Sequence, residues 1–382
     1  MTLFPPGMNI TTEPSQEVWH DIQEPGAYEW WYFDAEDSQR GISVVAIWFA
    51  GFPFSPSYTE EYDRWRADGS SPAPHPSNYS GFSFQLYENG RETINFIREG
   101  GASLFSGSKT GAEVAFENNR FVHDPLRDEY LLEIDFAFPA RRKRVRGTLH
   151  FNQCRRLTFN KKDGNHEGSG PCHQWLLSVP KAEVRGSLEI SEPERTSRSV
   201  EIQASGYHDH NLGTMPMQEY ISRWYWGRAF SDRVDLVYYV IFFRDPSFHP
   251  LTLLMLNDNQ NGGALVRDKA DFRESRFCRG IFAPLHGRVL DIHDGDVRMT
   301  INQKQVLDSG PFYLRFSSDI SLDFNGSSLK GIRGISEFLN PDRLQSPLMR
   351  FFIRSRIWRD GEQSVMYREY NRIKDRLDWF KR

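Results

Sequence analysis

Cysteine is nearly absent from this chain. The three present, Cys154, Cys172 and Cys278, form no Cys-x-x-Cys pair and are odd in number, which argues against a disulfide framework and for a reducing compartment. Strong charge of either sign is missing as well. A net charge of −4 gives nucleic acid no electrostatic footing, so no nucleic-acid partner is expected. The one basic run, Arg141-Arg142-Lys143-Arg144, is short and lacks interleaved aromatics. It reads as a solvated turn or edge strand, with peripheral contact to anionic lipid headgroups as a minority reading. Long apolar runs are also missing: the longest, Leu236 to Phe243, is roughly eight residues against the about 20 that a membrane span needs. No integral membrane segment is therefore expected. The start, Met1-Thr2-Leu3-Phe4-Pro5-Pro6-Gly7, has no basic region followed by an apolar stretch, so a signal peptide is not expected and the protein reads as soluble and cytoplasmic. P-loop, dinucleotide fingerprint and nucleophile elbow are absent, which removes nucleotide chemistry of those kinds and Ser-based hydrolysis.

What the chain has instead is aromatic side chains, 14% of its 382 residues, with 29 Phe, 15 Tyr and 10 Trp. Aromatics favour strands because they pack well on a pleated, half-buried surface. They also line pockets for flat or polyene ligands. Most of them here are expected to be β core. Short strand signals divided by turn formers recur throughout, among them Gly41 to Ala50, Gly81 to Tyr87, Arg91 to Arg98, Tyr130 to Phe138, Val200 to Gly206, Tyr225 to Phe230 and Asp235 to Phe243. A last strand is expected over Ser364 to Ile373. Asn89-Gly90 reads as a type I′ hairpin turn. The pattern predicts an all-β protein rather than a parallel α/β sheet. Helical signals are scarce; the best is Ser336 to Leu339, stopped by Asn340-Pro341. The proline-rich stretch 55–80 is expected to be a long loop covering one end of a barrel, and 160–170 a second loop. The length suggests two domains, with a boundary in the featureless segment between Ile190 and Val200, giving 1–195 and 196–382.

Two clusters could carry chemistry. The first is Glu29-Trp30-Trp31-Tyr32-Phe33-Asp34. On a strand, Glu29, Trp31 and Phe33 share one face and Trp30, Tyr32 and Asp34 the other. One face can be core while the other lines a cavity, although for the cluster taken alone a strand buried between two packed layers is the preferred reading. The second is Gly206-Tyr207-His208-Asp209-His210-Asn211-Leu212-Gly213, titratable groups flanked by glycines that permit unusual turns. His and Asp together suit general acid–base work, because a carboxylate holds an imidazole's tautomer and shifts its pKa. A polar network that merely pins a loop is the bland alternative. Adjacent residues on a strand point apart, and no third or fourth ligand stands at a recognisable spacing, so no metal is expected. Downstream, Trp224 and Trp226 share a strand face that Arg228 continues. Two indoles make a wall suited to a conjugated ligand or a carbocation.

These clusters together resemble the carotenoid 1,2-hydratase (hydroxyneurosporene synthase) and AttH-like lipocalin family, which includes kievitone hydratase and the lipocalin-like Diels–Alderases. The features that carry the resemblance are Glu29-Trp30-Trp31-Tyr32, His173-Gln174-Trp175 with Pro180, Gly206 to Asn211, Trp224-Tyr225-Trp226, and Ser336-Glu337-Phe338-Leu339 with Arg343-Leu344, spread over residues 25–375. The resemblance implies two lipocalin-like (calycin) antiparallel β-barrel or sandwich domains packed together, with a hydrophobic cleft at their junction. It implies action on alkenes without metal or organic cofactor. One departure stands out. Family hydratases carry Trp two positions after the second His, where this chain has Leu212. They also place a Tyr and an Asp close together on the strand after Trp-x-Trp, where this chain has Leu236-Val237-Tyr238-Tyr239-Val240, with Asp235 only at its start.

The leading expectation is a cofactor-independent lyase or cyclase/isomerase that protonates a C=C bond of a hydrophobic polyene or isoprenoid, giving hydration or cyclisation. Asp209 is the expected proton donor, with His210 and His208 orienting it or activating water, Tyr207 beside them, and Trp31, Trp224 and Trp226 stabilising positive charge. Glu29, Trp30, Tyr32, Leu212, Arg228 and Tyr238 complete the expected substrate surface. The first alternative is a pericyclase that folds a linear polyene, working by proximity, with a hydrogen bond from Tyr207 or Arg228 to a substrate carbonyl. The second is a non-catalytic lipid or pigment carrier. The expected partner in every case is a hydrophobic small molecule; no feature of the sequence speaks to oligomeric state.

Overall fold

A computed structural model describes residues 5–69, 71–162, 171–193, 196–280, 283–360, 367–369 and 371–373. The chain is all-β, as expected, and its two sheets curl into half-barrels with few short helices. They belong to two compact units. Among the described residues the larger comprises Asn9–Lys162, 171–216 and those from Arg350 onward; the smaller comprises 5–8 and Met217–Met349. The strand Arg198–Gly213 pairs within the sheet of the larger unit. The chain thus leaves that unit after Pro216 rather than near residue 195, because the polar segment around 192–198 joins two adjacent strands, not two domains.

Alternation of side chains builds both cores. In Glu129–Phe138, the residues Tyr130, Leu132, Ile134, Phe136 and Phe138 are buried while their neighbours are less so. They join Trp48, Phe82, Phe84 and Phe151 in the core of the larger unit. Burying each such side chain stabilises the fold by roughly 1.5–3 kcal/mol. In the smaller unit, Val297, Met299 and Ile301 alternate inward in the same way and meet Leu236, Tyr238 and Phe316. Several strands break the rule, Ser80–Glu88 and Leu251–Asp258 among them. Tyr28–Asp37, the Gly206–Gly213 end of Arg198–Gly213, and Val234–Phe243 are buried on nearly every residue. A strand buried on both faces needs internal partners for the polar groups on each, and that is where the candidate site lies.

The Asn89-Gly90 turn forms as expected, with both residues at positive φ (53° and 71°), joining Ser80–Glu88 to Arg91–Gly100. Several other expectations are corrected. Most of the first part of the 55–80 stretch is a helix, Pro56–Asp68, in which the Ser55 hydroxyl caps the Tyr58 N–H, Pro56 opens the first turn and Gly69 closes the last at φ 60°. Prolines there initiate a helix instead of excluding one. Ser336 to Leu339 is the end of the strand Ser327–Leu339, not a helix, because the sheet pairs it on both sides with Ile221–Phe230 and Tyr313–Phe324. The strand expected over Ser364 to Ile373 lies partly outside the described residues; within it, 367–369 and 371–373 are helical. Most of the 160–170 loop also falls outside them. Lys143–Arg155, which takes up the end of the basic run, is an interior strand of its sheet rather than an edge. Among the described residues no helix is long and apolar enough to cross a membrane.

Candidate active site

Strand pairing sets the geometry. Arg198–Gly213 runs antiparallel to Tyr28–Asp37, with Tyr207 opposite Asp34, His208 opposite Phe33, Asp209 opposite Tyr32, His210 opposite Trp31, Asn211 opposite Trp30 and Leu212 opposite Glu29. On its other side, Trp175 stands opposite Asn211 and Leu176 opposite His210. Directly opposed residues share a face, and successive residues alternate. The cluster therefore splits into two constellations, back to back on one sheet.

On one face lie Tyr207, Asp209 and Asn211, with Trp30, Tyr32, Asp34 and Trp175. Asp209 is 5% exposed. Its Oδ2 accepts hydrogen bonds from the Tyr207 hydroxyl at 2.7 Å and from the Trp175 indole N–H at 2.9 Å, and its Oδ1 accepts from the Asn211 amide at 2.9 Å. Tyr32 sits edge-on to Tyr207, and its hydroxyl donates to Asp34 at 3.2 Å. Trp30 stacks on Tyr28, 5.4 Å between centroids, and lies near His173 and Phe54. Burial lowers the pKa of His173 to about 3, so it stays neutral beside the Tyr28 hydroxyl, 2.8 Å away. The result is a carboxyl group held by an indole, a phenol and an amide within an aromatic wall.

On the opposite face lie His208, His210 and Leu212, with Glu29, Trp31 and Phe33. Two residues from the segment before the first of these strands, Glu17 and His20, complete this group. His210 Nε2 meets Glu29 Oε1 at 2.8 Å, and His20 Nδ1 meets the same oxygen at 2.8 Å. Glu17 Oε1 lies 3.3 Å from His208 Nε2 and 3.7 Å from His210 Nδ1, and the Ser178 hydroxyl also donates to Glu17. His208 Nδ1–H donates to the Tyr32 carbonyl at 3.0 Å. Both imidazoles lie against aromatic rings, His208 on Phe33 at 3.7 Å and His210 on Trp31 at 4.6 Å between centroids. Burial would raise the Glu17 carboxyl, but His208 and His210 outweigh it and hold it far below the usual carboxylate range. Burial would likewise depress His210, yet Glu17 and Glu29 push it up to about 9.

This arrangement corrects the expected division of labour. His208 and His210 do not orient Asp209, because a strand places neighbours on opposite faces; their carboxylate partners are Glu17 and Glu29. Glu29, Trp31 and Leu212 likewise belong to the imidazole face. Gly206 and Gly213 do not serve unusual turns. They lie within the strand, where a Cβ at Gly206 would stand 2.4 Å from Val184 Cγ2 and 2.8 Å from Phe151 Cε1, and one at Gly213 would stand 2.4 Å from the Cys172 carbonyl. Close packing, not backbone freedom, demands glycine there.

The remaining expected residues belong to the smaller unit. Trp224, Trp226 and Arg228 alternate along Ile221–Phe230 and are all buried. Arg228 lies over the Phe230 ring at 4.8 Å. Tyr238 pairs with Gly227, so it takes the opposite face, where its hydroxyl lies 2.7 Å from Ser336 Oγ among the core residues. A cavity of about 730 Å³ in the larger unit is lined by Phe96, Arg98, Phe105, Phe136, Trp358 and others, none of them a partner of Asp209.

The sequence profile of carotenoid hydratase CrtC matches residues 46–366. The chain belongs to the CrtC carotenoid hydratase family. It is 52% identical over 372 residues, 97% of either chain, to a hydroxyneurosporene dehydrogenase of Chlorobaculum tepidum. It is 25% identical over 215 residues, 54% of this chain and 45% of the other, to an acyclic carotenoid 1,2-hydratase of Rubrivivax gelatinosus. In fold it resembles an AttH-type protein of Nitrosomonas europaea, with a TM-score of 0.55 at 15% identity, over 85% of this chain and 95% of the other. The resemblance seen in the motifs is thus borne out, as is the lipocalin-like fold. For this CrtC-family chain, Glu17 and His20 are the site residues that motif reading missed. Neither stands at a telling spacing from His208 or His210, and only the fold brings them together.

Proposed function

We propose that this protein catalyses proton-assisted addition of water to a C=C bond of an acyclic, hydrophobic polyene, with Asp209 as the acid. The observation that carries the reading is the trio of donors on Asp209, from Tyr207, Trp175 and Asn211. When the Asp209 carboxyl gives its proton to one alkene carbon, the other carbon becomes a carbocation and Asp209 becomes a carboxylate. Three fixed donors then stabilise the negative charge as it develops, and they need no reorganisation to do so. Aromatic faces beside the carboxyl, those of Trp30, Tyr32 and Trp175, attract the carbocation as they attract other cations. Water adds to the cation, and its surplus proton returns to the Asp209 carboxylate, which restores the acid. Where water is kept from the cation, attack by a second double bond gives cyclisation from the same first step.

The family supports an enzyme of this class, and the relatives named for acyclic carotenoids supply the substrate to try first. An Asp209→Asn variant assayed on an acyclic carotenoid should lose about 10²- to 10⁴-fold in kcat, the range that a positioned acid contributes. In D₂O the wild-type product should carry one deuterium at the protonated carbon. Full activity in Asp209→Asn, or a product free of deuterium, refutes the assignment; the second result would favour a pericyclic reaction.

A further inference from the structure

The imidazole face takes no part in that mechanism, yet it holds a His–Glu–His constellation. We infer that His20, Glu29 and His210 form a binding site for a divalent transition-metal ion of the zinc class. Three donor atoms, one from each residue, lie within 4.8 Å of one another. Two nitrogens and one carboxylate oxygen are the donor set that zinc takes at sites with three protein ligands and an open fourth position. Ions preferring six oxygens are disfavoured by the two imidazoles.

A second observation points the same way. Buried His210 Nδ1 makes no hydrogen bond, and the nearest acceptor, Glu17 Oε1, stands 3.7 Å off. A metal-ligating histidine commonly donates its other N–H to a carboxylate, which fixes the tautomer and strengthens the ligand. With Nε2 on the ion, Nδ1–H would point at Glu17, so the carboxylate that completes such a triad is already in place. The charge balance agrees. Glu17 and Glu29 are 3% and 1% exposed, and two buried carboxylates set among His20, His208 and His210 require compensating positive charge. A divalent cation supplies it where otherwise protons must. Glu29 is also fixed from behind, since the His20 backbone N–H lies 3.2 Å from each of its oxygens.

The fit requires the three donors, now within 4.8 Å of one another, to draw round a common centre. Nitrogen–oxygen separations of 2.8 Å would widen to about 3.3 Å around a tetrahedral ion with bonds near 2.0–2.1 Å. The His20 side chain, 26% exposed, provides both the slack and a route for the ion from solvent. This inference is independent of the alkene chemistry, since Asp209 lies on the other face of the sheet.

The test uses the full chain, stripped with chelator and titrated with Co²⁺. One equivalent should produce the visible absorption of four- or five-coordinate cobalt, Zn²⁺ should bleach it by displacement, and Zn²⁺ should raise the melting temperature, because it binds the folded state. The band should vanish in His20→Ala, a substitution at a partly exposed side chain, with circular dichroism confirming that the fold survives loss of the His20–Glu29 contact. In Glu17→Gln the band should persist with affinity lowered about 10- to 100-fold. His150→Ala, remote from the cluster, should bind as the parent does. Absence of a band with the unaltered chain overturns the site. So does a band of unchanged intensity in His20→Ala, and unchanged affinity in Glu17→Gln removes Glu17 from it.

Discussion

Replacing Tyr207 with phenylalanine deletes one oxygen and leaves the ring. Tyr207 is wholly buried, and its hydroxyl donates to Asp209 Oδ2 at 2.7 Å, the shortest of the three contacts on that carboxyl. In the proposed first step the carboxyl turns into a carboxylate, so the lost contact is a hydrogen bond to a charge that exists in full only after proton transfer. Bonds to charged groups contribute about 1.5–3 kcal/mol, and about 1.4 kcal/mol is tenfold in rate, so kcat should fall roughly 10- to 150-fold. KM should hardly change, because the hydroxyl faces Asp209 and not the substrate; an interaction made only in the transition state lowers kcat and kcat/KM together. Trp175→Phe, which removes the indole donor to the same oxygen, should behave alike. Initial rates on an acyclic carotenoid, with circular dichroism to confirm the fold, decide the matter. A Tyr207→Phe enzyme with parental kcat would mean that Asp209 does not gain negative charge during the reaction, and the role of the donor trio would fall with it.

Stability should vary with pH through the imidazole face. His210 rises from an ordinary 6.5 to about 9, so its contribution is complete below 6.5 and is lost as pH climbs through 9; Glu17 is depressed from 4.5, so its contribution is complete above 4.5 and is lost as pH falls. Thermal melts of the metal-free protein should therefore show a maximum between 4.5 and 6.5 and a decline towards 9, and Glu29→Gln should flatten the alkaline limb; a melting temperature of the metal-free protein unchanged from 6.5 to 9 refutes the coupling. Gly206→Ala should cost about 1–3 kcal/mol of overpacking against Val184 and Phe151, read by denaturant titration, and an unaffected midpoint would show that the strand can shift to admit a methyl group.

Much of this was legible in the residues themselves. Period-two alternation through Tyr130 to Phe138 gave a strand with its inward face, and the same period split Glu29 to Asp34 into the two faces now seen. The motif from Gly206 to Asn211 marked the strand on which the candidate site is built. Pairing between strands was not legible, and it decides which neighbours cooperate. His208, Asp209 and His210 are consecutive, so they look like one unit, whereas the pleat sends Asp209 to Trp175 and the histidines to Glu17 and Glu29. The contact between Glu17 and His208 spans 191 positions, and that between Glu29 and His210 spans 181; no local pattern records either. The helix Pro56–Asp68 was hidden differently. Its start signal, Ser55-Pro56, was present but outweighed by three further prolines beyond its end.

One strand between residues 207 and 212 thus carries two sets of polar side chains, interleaved one residue apart. Inserting or deleting a single residue there would exchange them wholesale, turning imidazoles to the aromatic wall and the carboxyl to the buried glutamates. Substitution along this stretch keeps the two sets apart, whereas a change of length does not. Within that constraint the two sets can drift separately: changes at 207, 209 and 211 retune one side while 208, 210 and 212 keep the other. A library built on alternate positions would sample the alkene chemistry alone, and its complement would sample the buried charges alone.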